Sequence, residues 1–421
     1  MSYLPRLAWL SAWNRRGTLA LIVGAVAVST ALLLGVERIR HDLRAGFAQS
    51  VSGTDLIVGA RGSPLELLLY AVFHLGGATR NIGWDSVQRL AADPRVAWTL
   101  PLSLGDSHRG YPVLATPLPD YLTHFRYGAG RSLRLVQGQA GAGVFDAVIG
   151  AEVARALGYG VGDRMVLAHG AGLQNLPQHA DKPFVVRGIL AATGTPVDRT
   201  VHINLAGMEA IHLDWQAGLP LPGVHIPASA VNKFDLTPTS VTAVLVGLKL
   251  RGRVFAVQRD VNDDPHEPLM AILPGVALDS LWSVVGVGAR ALMAISALVA
   301  LVGLAGLCAV ILAGLGERRR ELAILRSVGA HPREIAALLL CEGACVMLLG
   351  IGAGVLLLAA AVHGAGPALT TWTGVTLEAY WPAANEWTLL GAMLGAGVLA
   401  SAWPAWRAYR LSLMDGLTPN V

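Results

Sequence analysis

The stretch Gly316–Ile335, GERRRELAILRSVGAHPREI, holds five arginines in a chain in which only 14% of the residues are charged. A long apolar run stands on either side of it. Loops that join membrane helices on the cytoplasmic side carry an excess of Lys and Arg, so the pattern predicts a cytoplasmic loop between two spans. Residues 318–327 are mostly strong helix formers and predict a short helix. Gly329 is typical of a helix end, and Pro332 of the start of the next helix.

Two interpretations of this charged segment are consistent with its residues. It is either a docking element for a cytoplasmic partner or an ordinary loop that follows the positive-inside rule. Charge and helix propensity alone do not choose between them.

The composition is that of a membrane protein with a sizeable polar domain. The 421 residues are 53% hydrophobic with a mean hydropathy of +0.52, yet long polar stretches remain. The three cysteines all lie in apolar runs, so the polar domain has no disulfide framework and no cysteine-based zinc spacing. These observations predict a membrane α-helical fold with four transmembrane helices and a large α+β periplasmic domain inserted between helices 1 and 2.

The apolar runs set the boundaries along the chain. In order, we expect an N-terminal interfacial segment and first span (1–38), the periplasmic domain (39–267), a helical stalk and second span (268–316), the charged cytoplasmic helix (317–334), a third span (335–362), a periplasmic loop (363–386), a fourth span (387–406) and a cytoplasmic tail (407–421).

The distribution of charge supports this orientation. The three segments placed inside, 1–17, 317–334 and 404–421, hold ten of the 32 basic residues but only four of the 28 acidic residues. The basic excess therefore lies on one side of the membrane, and both termini are expected in the cytoplasm. The high sequence pI of about 9.1 reflects this topology, and no aromatic–basic pattern typical of nucleic-acid binding is present.

Within the periplasmic domain, short β-type runs alternate with short helical stretches. The segment Ser63–Gly77 is unusually apolar but too short to span a bilayer. It is either a core helix or a helix that lies on the outer membrane surface. In residues 268–283 apolar residues recur at helical spacing, which predicts a stalk continuous with the second span.

Few residues offer chemistry. The only lysines are Lys182, Lys233 and Lys249, and none follows a glycine, so the chain has no P-loop of its own. Glu342 is an ionisable residue in the third span and a candidate intramembrane polar site, although its position also suits the interface. The Gly350/Gly354 and Gly391/Gly395 pairs favour close packing of helices. Ten of the twelve histidines lie in the periplasmic domain without ligand spacing, which leaves only a metal site assembled by the fold.

Several motifs resemble the FtsX-like, MacB-type family of ABC transporter permeases, the type VII or mechanotransmission group. The loop sequence ERRRELAILRSVGAHPREI and the closing AWRAYRLSLMDGL carry the resemblance most specifically. Three stretches of the periplasmic domain are also similar to the family: DLIVGARGSP (55–64), VIGAEVARALGYGVGDRMVL (148–167) and TGTPVDRTVHI (193–203).

The resemblance implies a permease subunit of the bacterial inner membrane that is not itself an enzyme. It implies a homodimer bound to a cytoplasmic ABC ATPase, which would hold ATP and Mg²⁺, with no cofactor in this chain. A periplasmic adaptor or substrate-binding protein and membrane lipid are further implied partners. It identifies residues 317–334 as the coupling helix, and Glu342 matches an acidic residue early in the third span. The residues expected to contact the ATPase are Arg319, Arg320, Glu321, Arg326 and His331.

The expected function is to move or extract a hydrophobic, peptide or lipidated substrate on the periplasmic side, driven by ATPase motion transmitted through the spans and stalk. The alternative is a mechanotransmitting signalling subunit that regulates a periplasmic enzyme or sensor without transport. An apolar helix at Ser63–Gly77 facing lipid would favour the first function, because a regulator needs no such surface.

Overall fold

The computed structural model describes residues 16–50, 52–76, 80–170, 178–216, 219–317, 327, 329–373 and 384–410. The chain divides into two compact units: an α+β unit that comprises mainly Leu43–Val285, and a helical unit formed by the segments before and after it. The helices are α1 (Arg16–Gln49), α2 (Pro64–Phe73), α3 (Trp84–Ala92), α4 (Leu118–His124), α5 (Ala151–Leu157), α6 (Leu205–His212), α7 (Val254–Asn262), α8 (Pro274–Glu317), α9 (Pro332–Thr373) and α10 (Ala384–Arg410), with 3-10 turns at Pro196–Arg199, Ala228–Lys233 and Arg251–Arg253.

A mixed sheet organises the α+β unit. The strands are β1 (Leu56–Ala60), β2 (Ile82–Gly83), β3 (Val96–His108), β4 (Tyr111–Ala115), β5 (Arg126–Tyr127), β6 (Arg131–Ser132), β7 (Leu135–Gly138), β8 (Asp146–Ile149), β9 (Arg164–Met165), β10 (Ala168–His169), β11 (Phe184–Leu190), β12 (Val201–Ile203), β13 (Trp215–Gln216), β14 (Leu219–Pro220), β15 (Ser240–Val241), β16 (Ala243–Leu248) and β17 (Leu269–Ile272). In the described part, eleven strands join one sheet in the order β17-β1-β16-β3-β4-β12-β8-β11-β7, with β10 on β3 and β9 on β11. The β4/β12 and β8/β11 pairs are parallel, and the other pairs are antiparallel.

Both faces of this sheet are covered. Successive residues of a strand point to opposite faces, and in β1 Leu56 and Val58 join one buried cluster while Ile57 joins another. Helices α3, α5, α6 and α7 contribute to the first cluster, and α2, α4 and the first turns of α8 contribute to the second. We call these faces A and B. The strands therefore consist of near-continuous apolar runs, and the unit is a three-layer α/β/α arrangement.

The apolar segment Ser63–Gly77 forms a core helix over the part that the structure describes. In α2, Leu67 and Leu68 are fully buried on face B, together with Tyr70 and Phe73. The alternative of a helix on the membrane surface is wrong, because its apolar side chains already pack against the sheet. The argument that this segment favours transport over signalling therefore no longer holds.

The predicted stalk begins later than its apolar spacing suggested. Residues 269–272 form strand β17, which pairs with β1, and the helix α8 starts at Pro274. The assignment of 268–273 to a helix is wrong, because this short apolar run lies beside β1 at the edge of the sheet and its backbone forms hydrogen bonds with that strand. In α8 the side chains of Ala277 and Leu278 are buried on face B.

Four helices in the described residues are long and apolar enough to cross a membrane, by length and composition. The candidate spans are Arg16–His41, Pro274–Ala313, Pro332–Gly364 and Glu386–Arg410. Each contains the apolar core of one predicted span. Helix α9 continues to Thr373, so part of the segment predicted as a periplasmic loop, 363–386, is helical.

Close packing in the helical unit depends on glycines of α9. A Cβ atom at Gly350 would lie 2.6 Å from Val26 of α1, and one at Gly354 would lie 2.5 Å from Thr30 of α1. The predicted role of this glycine pair in helix packing is confirmed. At Gly391 and Gly395 such a Cβ would have no described atom within 4 Å. The prediction that this second pair packs closely against another helix of the same chain is therefore wrong.

Candidate functional site

The predicted coupling residues are only partly described. Arg319, Arg320, Glu321 and Arg326 lie outside the described residues, so their contact with an ATPase stays a prediction. His331 is described and is exposed immediately before α9.

The entry to α9 is locally well defined. Gly329 has a φ of +107°, which suits a residue without a Cβ at the end of the preceding segment. The backbone N–H of His331 donates to Oε2 of Glu334 at 3.0 Å, and the N–H of Glu334 donates to the His331 carbonyl at 2.9 Å. These reciprocal bonds cap the helix, and Pro332 occupies its first position as expected.

Glu342, the candidate intramembrane polar residue, lies in α9 and is half-buried. It takes part in a polar interaction within the chain, so it is not a free carboxylate. Cys341 and Cys345 beside it are exposed free thiols. A role of Glu342 in coupling or transport remains a prediction.

A cluster that the sequence did not reveal lies in the α+β unit. Its members are Asp106, His169, His179 and His212, and one ligand-type atom from each lies within 4.8 Å of the others. We call it the Asp–His₃ cluster. Asp106 comes from β3, His169 from β10 and His212 from the last turn of α6, while His179 follows the bridge at Gln178.

The sheet and a bulge bring these side chains together. Asp106 and His169 are directly opposite each other on β3 and β10, so their side chains share one face. Between the Leu104/Leu114 and Ser107/Pro112 pairs, β3 contains one residue more than β4, which is the signature of a β-bulge. The extra residue reverses the alternation of β3, so that Asp106 points to face A, where α6 lies.

The distances within the cluster are short. Nδ1 of His169 lies 3.2 Å from Oδ1 of Asp106 and 3.1 Å from Nε2 of His212. Oδ2 of Asp106 lies 3.6 Å from Nε2 of His212 and 3.9 Å from Nε2 of His179. The side chains of Asp106 and His179 are fully buried, whereas His169 and His212 are 35% and 28% exposed.

Hydrogen bonding satisfies only His169 and His212 in this cluster. Among the described residues, neither carboxylate oxygen of Asp106 and neither ring nitrogen of His179 has a hydrogen bond of good geometry. His212 is better defined, because its Nδ1 lies 2.8 Å from the carbonyl of Met208. That contact makes Nδ1 the donor and leaves the Nε2 lone pair directed at the cluster.

The electrostatics differ among the four groups. Burial acts to raise the pKa of Asp106, but the imidazoles of His169 and His212 outweigh it and hold that pKa at about 2. Burial lowers the pKa of His179 to about 4 despite the nearby carboxylate. Burial also acts to lower the pKa of His212, but Asp106 outweighs it and raises that pKa.

A second acidic group nearby has a different chemistry. Asp181, Asp214 and His225 also approach one another, but the ammonium of Lys182 is fully buried between the two carboxylates. Lys182 donates to Asp214 and lies 3.4 Å from Asp181. The ammonium of Lys182 therefore already supplies the positive charge that a metal ion would bring to this second group.

Three other buried histidines lie outside the cluster, and both ring nitrogens of one of them, His202, lack a hydrogen-bond partner among the described residues. The Nδ1 of His74 lies 2.8 Å from the hydroxyl of Thr200, and His108 contacts the Val166 carbonyl and the Tyr159 hydroxyl. His202 is buried, with its ring 5.4 Å from that of Tyr121. None of these three lies in a group of metal-ligand type among the described residues.

Comparison with known proteins addresses the chain as a whole. The family model described as "MacB-like periplasmic core domain" matches residues 18–246, and the one described as "FtsX-like permease C-terminal" matches residues 293–413. The first match alone covers more than half of the chain. The chain belongs to the FtsX-like, MacB-type family of ABC transporter permeases. A search among curated proteins gives no match.

Two solved structures are similar to part of this chain at low identity. The periplasmic region of MacB from Actinobacillus actinomycetemcomitans shares 9% identity and covers 58% of this chain and 97% of its own, with a TM-score of 0.31. The extracellular domain of the ABC-type transporter YknZ from Gram-positive bacteria shares 11% identity and covers 52% and 98%, with a TM-score of 0.28.

The family assignment organises the candidate residues into two groups. The predicted coupling helix (317–334), which includes His331, and Glu342 lie within the FtsX-like match. The Asp–His₃ cluster lies within the MacB-like match, which describes a domain and assigns no metal to it. Sequence reasoning missed the cluster because its members are separated in the chain; the usable signal was an aspartate within the apolar strand β3.

Proposed function

We propose that this permease is the membrane subunit of an ATP-driven transporter and transmits the motion of a separate ATPase to its periplasmic domain. The observation that carries the proposal is the FtsX-like match over 293–413, which includes all of the arginine-rich segment that joins two candidate spans. A basic segment in this position suits the cytoplasmic side, where an ATPase would bind. The missing P-loop supports the need for that partner.

The proposed topology has four spans in the bacterial inner membrane, with both termini in the cytoplasm and the α+β unit inserted between the first two spans. The working assembly is a homodimer of this chain with two ATPase subunits. Helix α8 supports transmission, because it supplies buried residues to both units, Ala277 and Leu278 in one and Leu307 and Ile311 in the other. A hydrophobic, peptide or lipidated substrate would be moved or extracted on the periplasmic side.

A charge reversal in the coupling segment tests the proposal. In full chains co-purified with a partner ATPase and reconstituted in lipid, Glu321→Lys should abolish substrate-stimulated ATP hydrolysis and leave membrane insertion intact. Asp263→Lys is the matched control. It makes the same change at an exposed position after α7, where a positive charge suits the helix dipole. Full coupled activity in the Glu321 variant would refute the coupling role.

A signalling subunit remains the second candidate. Because α2 is a core helix, its apolar sequence is no longer evidence for a lipid-facing surface and so no longer favours transport over signalling. The same reconstituted complex separates the two functions. Hydrolysis stimulated by lipid or lipoprotein, with loss of that substrate from the membrane, indicates transport. Hydrolysis that changes the activity of a periplasmic enzyme, with no substrate displaced, indicates signalling.

A further inference from the structure

The Asp–His₃ cluster has the composition of a metal site. Three imidazoles and one carboxylate are the nitrogen and oxygen ligands that Zn²⁺ takes in four-coordinate sites. Imidazole also binds Cu, Fe and Ni, whereas Mg²⁺ and Ca²⁺ prefer sets of oxygen atoms alone. A cluster dominated by histidine therefore selects a transition metal rather than the common alkaline-earth ions.

The spacing of the ligand atoms fits one ion. With metal–ligand distances of about 2.0–2.2 Å and tetrahedral angles, neighbouring ligand atoms lie about 3.3–3.6 Å apart. Nδ1 of His169 lies 3.1 Å from Nε2 of His212 and 3.2 Å from Oδ1 of Asp106, whereas His212 and His179 lie 3.6 and 3.9 Å from the other oxygen, Oδ2. One ligand-type atom from each of the four residues lies within 4.8 Å of the others, so the four atoms must move closer together to reach the tetrahedral spacing. Small side-chain movements would complete the coordination.

An ion pair without metal leaves part of the cluster unexplained. Protonated His212 would neutralise Asp106, and His169 would complete the contacts of the carboxylate. Both ring nitrogens of His179 would still lack a hydrogen bond although its side chain is fully buried. A buried polar group without a partner is costly, and a cation bound to Nε2 would give His179 one partner where the ion pair gives it none.

The surrounding structure already orients the ligands. The Met208 carbonyl fixes the tautomer of His212 and turns its Nε2, which lies 3.1 Å from Nδ1 of His169, into the cluster. Trp215 packs against His179 with ring centroids 4.0 Å apart and shields it on one side. His169 and His212 are partly exposed, which provides an entry path from solvent.

We propose that Asp106, His169, His179 and His212 bind one divalent transition-metal ion, with Zn²⁺ as the best fit, in the periplasmic domain of this permease. The four protein ligands fill a tetrahedral shell and leave no open position, which is the pattern of structural zinc sites rather than catalytic ones. The ion ties β3, β10 and α6 together. This site is independent of the proposed coupling to an ATPase.

Direct binding measurements on the full chain test the site. The chain is purified in detergent with a tag that contains no histidine, stripped with a chelator and titrated with ZnCl₂ against a chromophoric zinc indicator. We expect one Zn²⁺ per chain. CoCl₂ should give the visible absorption bands of tetrahedral Co²⁺. Failure to bind one ion per chain in competition with the indicator, or cobalt spectra of a six-coordinate ion, would overturn the proposal.

Variants separate loss of binding from loss of folding. Asp106→Asn and His212→Gln should lower the affinity for Zn²⁺ by about 100-fold or more, since each removes a direct ligand. His225→Ala, in the second acidic group, is the matched control and should bind as the unaltered chain does. Zn²⁺ should raise the thermal midpoint of the unaltered and His225 chains only.

The Asp106 variant keeps the test decisive, because Asn has the size of Asp and its melting without Zn²⁺ can be compared directly with that of the stripped chain. If it unfolds at the same temperature as that chain but still binds Zn²⁺ with unchanged affinity, Asp106 is not a ligand and the site is refuted. Equal zinc-induced shifts in all chains would indicate binding elsewhere on the surface and would also refute it.

Discussion

Gly354 and Gly352 lie two positions apart on α9, and substitution by alanine should stabilise the helical unit only at Gly352. A Cβ at Gly354 would lie 2.5 Å from Cβ of Thr30 and 2.6 Å from the carbonyl oxygen of Ala27, both on α1. The second contact is with backbone, so the helices must separate locally. A Cβ at Gly352 meets nothing within 4 Å, and this residue is exposed.

The magnitudes follow from two terms. Replacing glycine by alanine inside a helix stabilises it by about 1 kcal/mol. Overpacking at a close contact typically costs about 1–3 kcal/mol. Gly352→Ala should therefore stabilise the helical unit by about 1 kcal/mol, while Gly354→Ala should be neutral or destabilising by up to about 2 kcal/mol. The gain in helix propensity is common to both variants, so the difference between their free energies of unfolding measures the cost of the close contact between Gly354→Ala and α1.

The assay is reversible unfolding of the full chain in mixed micelles, with the far-UV helical signal followed against denaturing detergent. Gly354→Ala should unfold at lower denaturant than Gly352→Ala, and a Gly354→Ala/Gly352→Ala double variant should show additive effects because only one residue contacts α1. Equal stability of the two single variants would refute the described packing of α1 against α9.

Two further predictions concern the α+β unit. Burial lowers the pKa of His74 to about 4 and that of His202 to about 3, from an ordinary value of 6.5, so between about pH 6.5 and 4 only the unfolded chain binds these protons. The thermal midpoint should therefore fall as the pH is lowered through this window, and each histidine should cost about 1.4 kcal/mol of stability per pH unit. The variant His74→Asn, whose asparagine suits the left-handed backbone at this position, should reduce the slope of stability against pH. An unchanged slope would contradict this prediction. Lys182→Met should destabilise the chain by about 3–5 kcal/mol because it leaves the buried carboxylate of Asp214 without its cation, and Lys182→Met/Asp214→Asn should recover much of that loss in the same melting assay. If the double variant melts no higher than the single one, the two groups do not act as a pair.

The apolar helices were predictable because their signal is local. A run long enough to cross a bilayer needs no distant partner, and each of the four predicted spans contains the centre of a long helix. The start of α9 at Pro332 was predictable for the same reason, since proline at the first helical position requires only local backbone geometry. Local signals did not fix the end of α9, which continues past 362 to Thr373.

Where pairing is distant, local periodicity gave the wrong element. The apolar residues of 268–273 fit helical spacing, but Leu269–Ile272 pairs with a strand about 210 residues earlier in the chain. A short apolar run has no distinct period of its own, so the available edge of β1 decides its conformation. Pro274 then provides the local signal at which the helix begins.

The Asp–His₃ cluster depends on a shift of one residue in the pairing of β3 with β4. Leu100 and Leu102 of β3 point to face B, and uninterrupted alternation would direct Asp106 to the same face, away from α6. The bulge after Leu104 adds one residue and turns Asp106 toward His212 on face A. His108, two residues later, points the same way, because it contacts Tyr159, which packs on face A. A bulge inside a sheet strand sacrifices regular pairing, and here it places a buried carboxylate among three imidazoles. A bound cation would offset both the lost strand pairing and the burial of the carboxylate, so one ion would explain the bulge and the cluster together.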